Sequence, residues 1–202
     1  MQNFEFYNPV NVVFGKGQIT RLASLVPQGT KIMMTYGGGS IKSNGVYDQV
    51  VAALKGFDII EFSGIEPNPH YETLMKAVEI VKEKKVGFLL AVGGGSVLDG
   101  TKFIAAGANY TAGDPWEILA KRAYVASAIP IGTVLTLPAT GSEMNGGSVI
   151  TKAETKEKLA FMSPLVMPKF SILDPEEVFS LTDRQVANGI VDPLIHVMDQ
   201  SL

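Results

Sequence analysis

Cysteine is absent from this 202-residue chain, which excludes a disulfide framework, a thiolate nucleophile and a zinc site built on sulfur. Histidine is scarce as well: only His70 and His196 occur, so a metal would have to draw on carboxylates and at most two imidazoles. Positive charge is not in excess. The net charge is -3 and the lysines and arginines are scattered, which argues against a nucleic-acid partner. No apolar run is long enough to span a bilayer, and Met1-Gln2-Asn3-Phe4-Glu5 lacks the basic start and apolar core of an export signal. A cytoplasmic protein with no membrane partner is expected. With 46% hydrophobic and 18% charged residues, the chain can bury a full core and has the size of one domain plus the start of another.

Glycine, by contrast, is abundant and placed with a pattern. Gly37-Gly38-Gly39-Ser40 and Gly93-Gly94-Gly95-Ser96 each follow a short apolar run, Lys31 to Tyr36 and Phe88 to Val92. Continuous hydrophobicity over that length marks strands buried on both faces, as in a parallel sheet. Residues without a β-carbon reach unusual φ angles and let a ligand approach the backbone, while amides opening the next helix favour an anion. A pyrophosphate fits both properties. One such motif is compatible with a tight strand-helix turn alone; two, placed alike, point to one dinucleotide at one sheet edge. Neither matches G-x-G-x-x-G.

Between and around the motifs, strand and helix alternate. Phe4 to Phe14 reads as extended segments at a sheet edge, and Gln18 to Leu25 has helical spacing at Ile19, Leu22 and Val26. Val46 to Leu54 is helical, Asp58 to Phe62 a strand, and Glu66-Pro67-Asn68-Pro69 a rigid turn before a helix from Tyr71 to Lys84. A helix to Ala108 follows the second motif, then a polar connection at Gly113-Asp114-Pro115-Trp116 and strands at Ala128 to Leu137, Ser148 to Thr151 and Phe170 to Leu173. The pattern predicts an α/β, Rossmann-like parallel sheet flanked by helices over residues 1–180. At Thr182-Asp183-Arg184-Gln185 a capping box opens a new amphipathic helix, read as the start of a second, all-α domain over 181–202 that is truncated here.

The chemistry concentrates in a few places. Gly94, Gly95 and Ser96 are the candidate pyrophosphate contacts; Asp99, one turn on, either orients the ribose or a water or complements the helix N-terminus. No acidic residue occurs between Lys31 and Asp48 to hold ribose hydroxyls and repel a 2′-phosphate. Ser40 offers a hydroxyl and Lys42 a cation beside Gly37 and Gly38, which favours NADP(H), although Lys42 also fits an ordinary solvated lysine. Thr136-Leu137-Pro138-Ala139-Thr140-Gly141-Ser142-Glu143 has the hydroxyls, carboxylate and rigid backbone of a site loop, or of a capped surface loop. Asp192 and His196 stand four apart, so one helix face would present both to a metal; alternatively Asp192 caps a helix that has Pro193 at its first position.

Taken in order, Phe14-Gly15-Lys16-Gly17, Tyr36 to Ser40, Glu66 to Pro69, Ala91 to Asp99, Leu137 to Glu143 and Asp192 to His196 resemble the N-terminal half of the group III, iron-containing alcohol dehydrogenases, close to their NADPH-dependent aldehyde reductase and butanol dehydrogenase branch. The resemblance spans nearly the whole chain. It implies a dehydroquinate synthase-like two-domain plan, a homodimer, and reversible hydride transfer between NADP(H) and a small aldehyde or alcohol. It also implies a divalent metal, zinc or iron, as Lewis acid. Asp192 and His196 take the first two metal positions, and Thr136, Thr140, Asn145 and Lys158 line the cofactor near its nicotinamide and ribose. Two family ligands, both histidines, belong to the helical domain beyond Leu202, and Pro193 replaces a small helix former. A non-catalytic NADP(H)-binding fragment without turnover is therefore the alternative, with a lyase or polyol dehydrogenase on the same plan as a third reading.

Overall fold

The computed structural model describes Asn3, Glu5 and residues 7–201, so Phe4 and Phe6 of the expected N-terminal extended segment lie outside the described residues. The first strand, β1 (Asn11–Phe14), leads through a 3-10 turn to α1 (Leu22–Leu25), β2 (Ile32–Thr35), α2 (Ser40–Ser43), α3 (Val46–Ala53) and β3 (Ile59–Phe62). Next come α4 (Tyr71–Lys84), β4 (Phe88–Gly94), α5 (Gly95–Asn109), α6 (Glu117–Ala120) and β5 (Ile131–Leu137). The chain continues through β6 (Gly147–Lys152), β7 (Glu157–Met162), β8 (Phe170–Leu173) and α7 (Asp183–Ser201). Six strands form one sheet in the order β1-β8-β5-β4-β2-β3, and every pairing is parallel.

Why the central strands are continuously apolar is visible in the two clusters they join. Met33, Leu89 and Ala91 point to α4 and α5, where Leu74, Val78, Val81, Phe103 and Ile104 are buried. Their neighbours Ile32, Met34, Phe88, Leu90 and Val92 point the other way, to Ile19, Leu22, Val46 and Val50. Alternation across a strand covered on both faces makes every position hydrophobic. From β2 the chain adds β3 on one side, then returns to place β4 and β5 on the other. The order in which strands are added therefore reverses between β2 and β4, and the crevice outside their carboxyl ends is where such sheets bind ligands.

Three expectations change. Ser148 to Thr151 does not join the main sheet; it belongs to β6, which pairs antiparallel with β7 in a separate hairpin, because the exposed polar turn at residues 153–156 lets the chain fold back on itself. Gly113 to Trp116 is more than a connection: Asp114 accepts from the Trp116 amide at 2.8 Å and leads into α6, with Trp116 buried edge-on against Tyr71. The Asp192 cap does not form, since α7 begins nine residues earlier at Asp183 and runs through Pro193. At that earlier start Thr182 and Gln185 close the anticipated capping box, with Thr182 N to Gln185 Oε1 at 3.0 Å and Gln185 N to Thr182 Oγ1 at 3.3 Å.

Candidate cofactor site

Both glycine motifs sit at the carboxyl ends of the two strands flanking the reversal. Their glycines are required for different reasons than a shared φ preference. In the first motif only Gly39 has a positive φ, +109°, while Gly38 faces open space and Gly37 lies beside α5, its missing β-carbon 3.7 Å from Val97. In the second motif none of the three is left-handed. There the constraint is crowding: a β-carbon would stand 2.7 Å from Val97 at Gly93, 3.1 Å from Leu137 at Gly94 and 2.4 Å from the Thr140 hydroxyl at Gly95. Gly93 and Gly94 extend β4, and α5 starts at Gly95, aiming its opening amides at the crevice.

Around that helix start the structure gathers most of the sequence-derived site residues. The Ser96 hydroxyl accepts from the Asn68 amide at 3.3 Å, and Lys158 on β7 donates to the Asn68 side chain at 2.7 Å. Asp99 accepts from Ser142 Oγ at 2.6 Å and from the Val149 amide at 3.0 Å. Burial pushes its carboxyl above the usual range, against the pull of those bonds and of Lys102. Thr136, next to last in β5, is half-buried, Thr140 is exposed over Gly95, and the Asn145 amide nitrogen donates to the Gly141 carbonyl at 3.0 Å. Asp99, Thr140, Asn145 and Val149 border a cavity of 750 Å³ that continues over β7 toward Tyr124.

The outer end of the crevice carries Gly38, Ser40 and Lys42, all exposed. Exposed as it is, Lys42 keeps its ammonium 5.3 Å from the Tyr36 ring centre and 4.7 Å from that of Tyr47. Both tyrosines donate to Glu61 of β3, each at 2.7 Å. The Tyr47 hydroxyl, with that of Tyr36 and the Lys42 charge, holds the Glu61 carboxyl below the ordinary carboxylate range. An acidic group therefore does stand near the first motif, from the next strand, but both its oxygens are engaged by tyrosines. A search confined to the residues just after β2 misses it.

Asp192 and His196 form a separate pair on exposed α7, with the carboxylate and imidazole 3.8 Å apart. One oxygen and one nitrogen on a single helix face are donors of the kind a divalent metal takes. Among the described residues no third acid or imidazole completes a metal-binding group. The described residues also contain no helix long and apolar enough to cross a membrane. His70 is half-buried; it precedes α4 and bridges Thr151. Sequence reasoning missed Lys102, fully buried on α5, whose only signal was a charge directly before the apolar run Phe103-Ile104-Ala105-Ala106.

The family model for iron-containing alcohol dehydrogenases matches residues 9–175. The chain is 57% identical over 202 residues to the NADPH-dependent aldehyde reductase YqhD of Escherichia coli, covering 99% of this chain and 52% of that protein. It is 53% identical over 203 residues to a probable NADH-dependent butanol dehydrogenase of Bacillus subtilis, with the same coverage of 99% and 52%. Among solved structures, E. coli YqhD superimposes with a TM-score of 0.92 at 58% identity, covering 96% of this chain and 50% of that one. NADH-dependent butanol dehydrogenase A of Thermotoga maritima also gives 0.92, at 46% identity, over 98% and 50%. The chain thus spans about half the length of the relatives it matches.

Proposed function

Because the chain belongs to the iron-containing alcohol dehydrogenase family, we propose that it forms the NADP(H)-binding half of a metal-dependent alcohol dehydrogenase or aldehyde reductase. Residues 1–180 make the cofactor domain and 181–202 open a helical metal-binding domain. The observation that carries this reading is the position of both glycine motifs at the carboxyl ends of β2 and β4, on either side of the sheet's reversal. The backbone of Gly94, Gly95 and Ser96, at the start of α5, receives the pyrophosphate. Ser40 and Lys42, beside Gly37 and Gly38, receive the 2′-phosphate, and the two tyrosine rings hold the Lys42 ammonium ready for it. Each Glu61 oxygen already accepts from one of those tyrosines.

Asp99, Thr136, Thr140, Asn145 and Lys158 border the nicotinamide and its ribose, where Lys158 exchanges its Asn68 partner for the ligand. When bound, the nucleotide would give hydride to a small aldehyde or take it from the corresponding alcohol, and zinc or iron would supply Lewis acidity toward the substrate oxygen. Asp192 and His196 hold the metal with two donors still to be added. The protein works in the cytoplasm as a homodimer, for which the edge strand β1, with Phe14 exposed, offers an unpaired side. A second reading is a module that binds NADP(H) without turnover; among the described residues no third acid or imidazole joins Asp192 and His196.

Titration of the protein with NADPH and NADH, followed by zinc or ferrous ion and a short-chain aldehyde, separates the readings. Selective NADPH binding without oxidation is the result expected of a cofactor module. Metal-dependent oxidation would mean that assembled copies complete a site, and failure to bind either nucleotide would refute the nucleotide reading.

A further inference from the structure

We propose that Lys102 is a positioning residue for the cofactor groove: from inside the molecule it fixes Ser142, Asn145 and Gly147, and through Ser142 the Asp99 carboxylate, in the arrangement the nucleotide meets. The inference rests on the NADP(H) reading above.

Lys102 donates to Ser142 Oγ at 2.8 Å, Asn145 Oδ1 at 3.0 Å and the Gly147 carbonyl at 2.8 Å. Three protons meet three acceptors, so the ammonium is saturated. Asp99, Ser142, Asn145 and Gly147 all border the 750 Å³ cavity, whereas Lys102 does not. It stands behind the groove and holds its lining.

The ammonium also settles directions that sequence alone leaves open. It can only donate, so the Ser142 hydroxyl must send its own proton to Asp99, as the 2.6 Å contact shows. The Asn145 carbonyl oxygen takes both Lys102 and the Gly147 amide, at 2.9 Å, which turns the Asn145 amide nitrogen toward Gly141. A buried charge is not needed to fill this space, since whole buried ion pairs are often replaced by apolar side chains of similar volume without loss of stability, although removing one member alone strands its partners. The charge is explained by what it orients. Asp99 from α5 and Glu143 from the turn after β5 face it, Glu143 with one buried oxygen lacking a partner, while β6 presents only the Gly147 carbonyl. Burial lowers the lysine to about 8 despite those two carboxylates.

The test is calorimetric titration with NADPH of the wild type and of Lys102→Met, which keeps the length and removes the donors. Lys102→Met is expected to stay folded and to bind at least tenfold more weakly. Should it not fold, wild-type affinity between pH 7 and pH 9.5 decides: it should fall several-fold as Lys102 loses a proton and one acceptor loses its donor. At the same time the lysine's own contribution to stability rises, because above pH 8 the unfolded chain holds that proton more tightly than the folded one. A folded Lys102→Met protein that binds NADPH within twofold of wild type would overturn the proposal, as would a flat pH profile. Absence of NADPH binding by the folded wild type would overturn the cofactor reading first, and this one with it.

Discussion

Gly95 shows how one missing methyl can serve two ends. Its place at the start of α5 requires no special φ, yet a β-carbon there would stand 2.4 Å from the Thr140 hydroxyl and 3.2 Å from the Thr140 β-carbon. Alanine would gain helix propensity worth up to about 1 kcal/mol, against overpacking that typically costs about 1–3 kcal/mol. We therefore expect Gly95→Ala to lower stability by only ~1 kcal/mol in denaturant unfolding. Because Thr140 must be driven toward the groove, NADPH affinity should fall tenfold or more. An unchanged affinity would remove Gly95 and Thr140 from the cofactor's surroundings. The glycine spacing was readable without coordinates; the crowding that requires it was not, because Leu137 at the end of β5 and Thr140 in the loop after it lie some forty residues away in sequence.

At the scale of elements, α7 carries two opposed signals. The Thr182 and Gln185 box starts it as the sequence foretells, and Pro193 interrupts it without ending it. Proline at this position offers no amide to the Gly189 carbonyl one turn back, and its ring crowds that carbonyl. Gly189 is also where α7 approaches the site loop, its missing β-carbon 3.7 Å from the Pro138 carbonyl. Pro193→Ala should raise the stability of the helix by roughly 3 kcal/mol, seen as slower amide exchange around Asp192 and His196. Unaltered exchange would show that neighbouring contacts already hold the turn. The hairpin of β6 and β7 teaches the complementary lesson. Ser148 to Thr151 was legible as a strand, but a period of two does not say which partner a strand takes, and here the partner is local rather than in the main sheet.

On the scale of the whole molecule, two clusters sandwich the sheet, while α7 presents Ile190 at 64% and Leu194 at 55% exposure, four residues apart on one face. Such a face binds apolar partners and contributes little to the fold beneath it. Replacing both residues with lysine should reduce binding of a hydrophobic dye while leaving the thermal midpoint nearly unchanged. A drop beyond about 4 °C, the shift that roughly 1 kcal/mol produces in a domain of this size, would mean that the face packs on its own domain.

The sequence by itself determined the α/β class, the strand and helix alternation and the two glycine motifs, and it offered Asp192 with His196 as one of two readings. These follow from local rules: hydrophobic periodicity, turn chemistry and capping act over a few residues. Only the tertiary structure decided that the motifs flank the reversal of the sheet, that Glu61 is taken up by Tyr36 and Tyr47, and that Lys102 stands behind the groove. Each depends on contacts between segments far apart in the chain. Their distances and directions are set when the sheet closes around its core, and no local pattern encodes them.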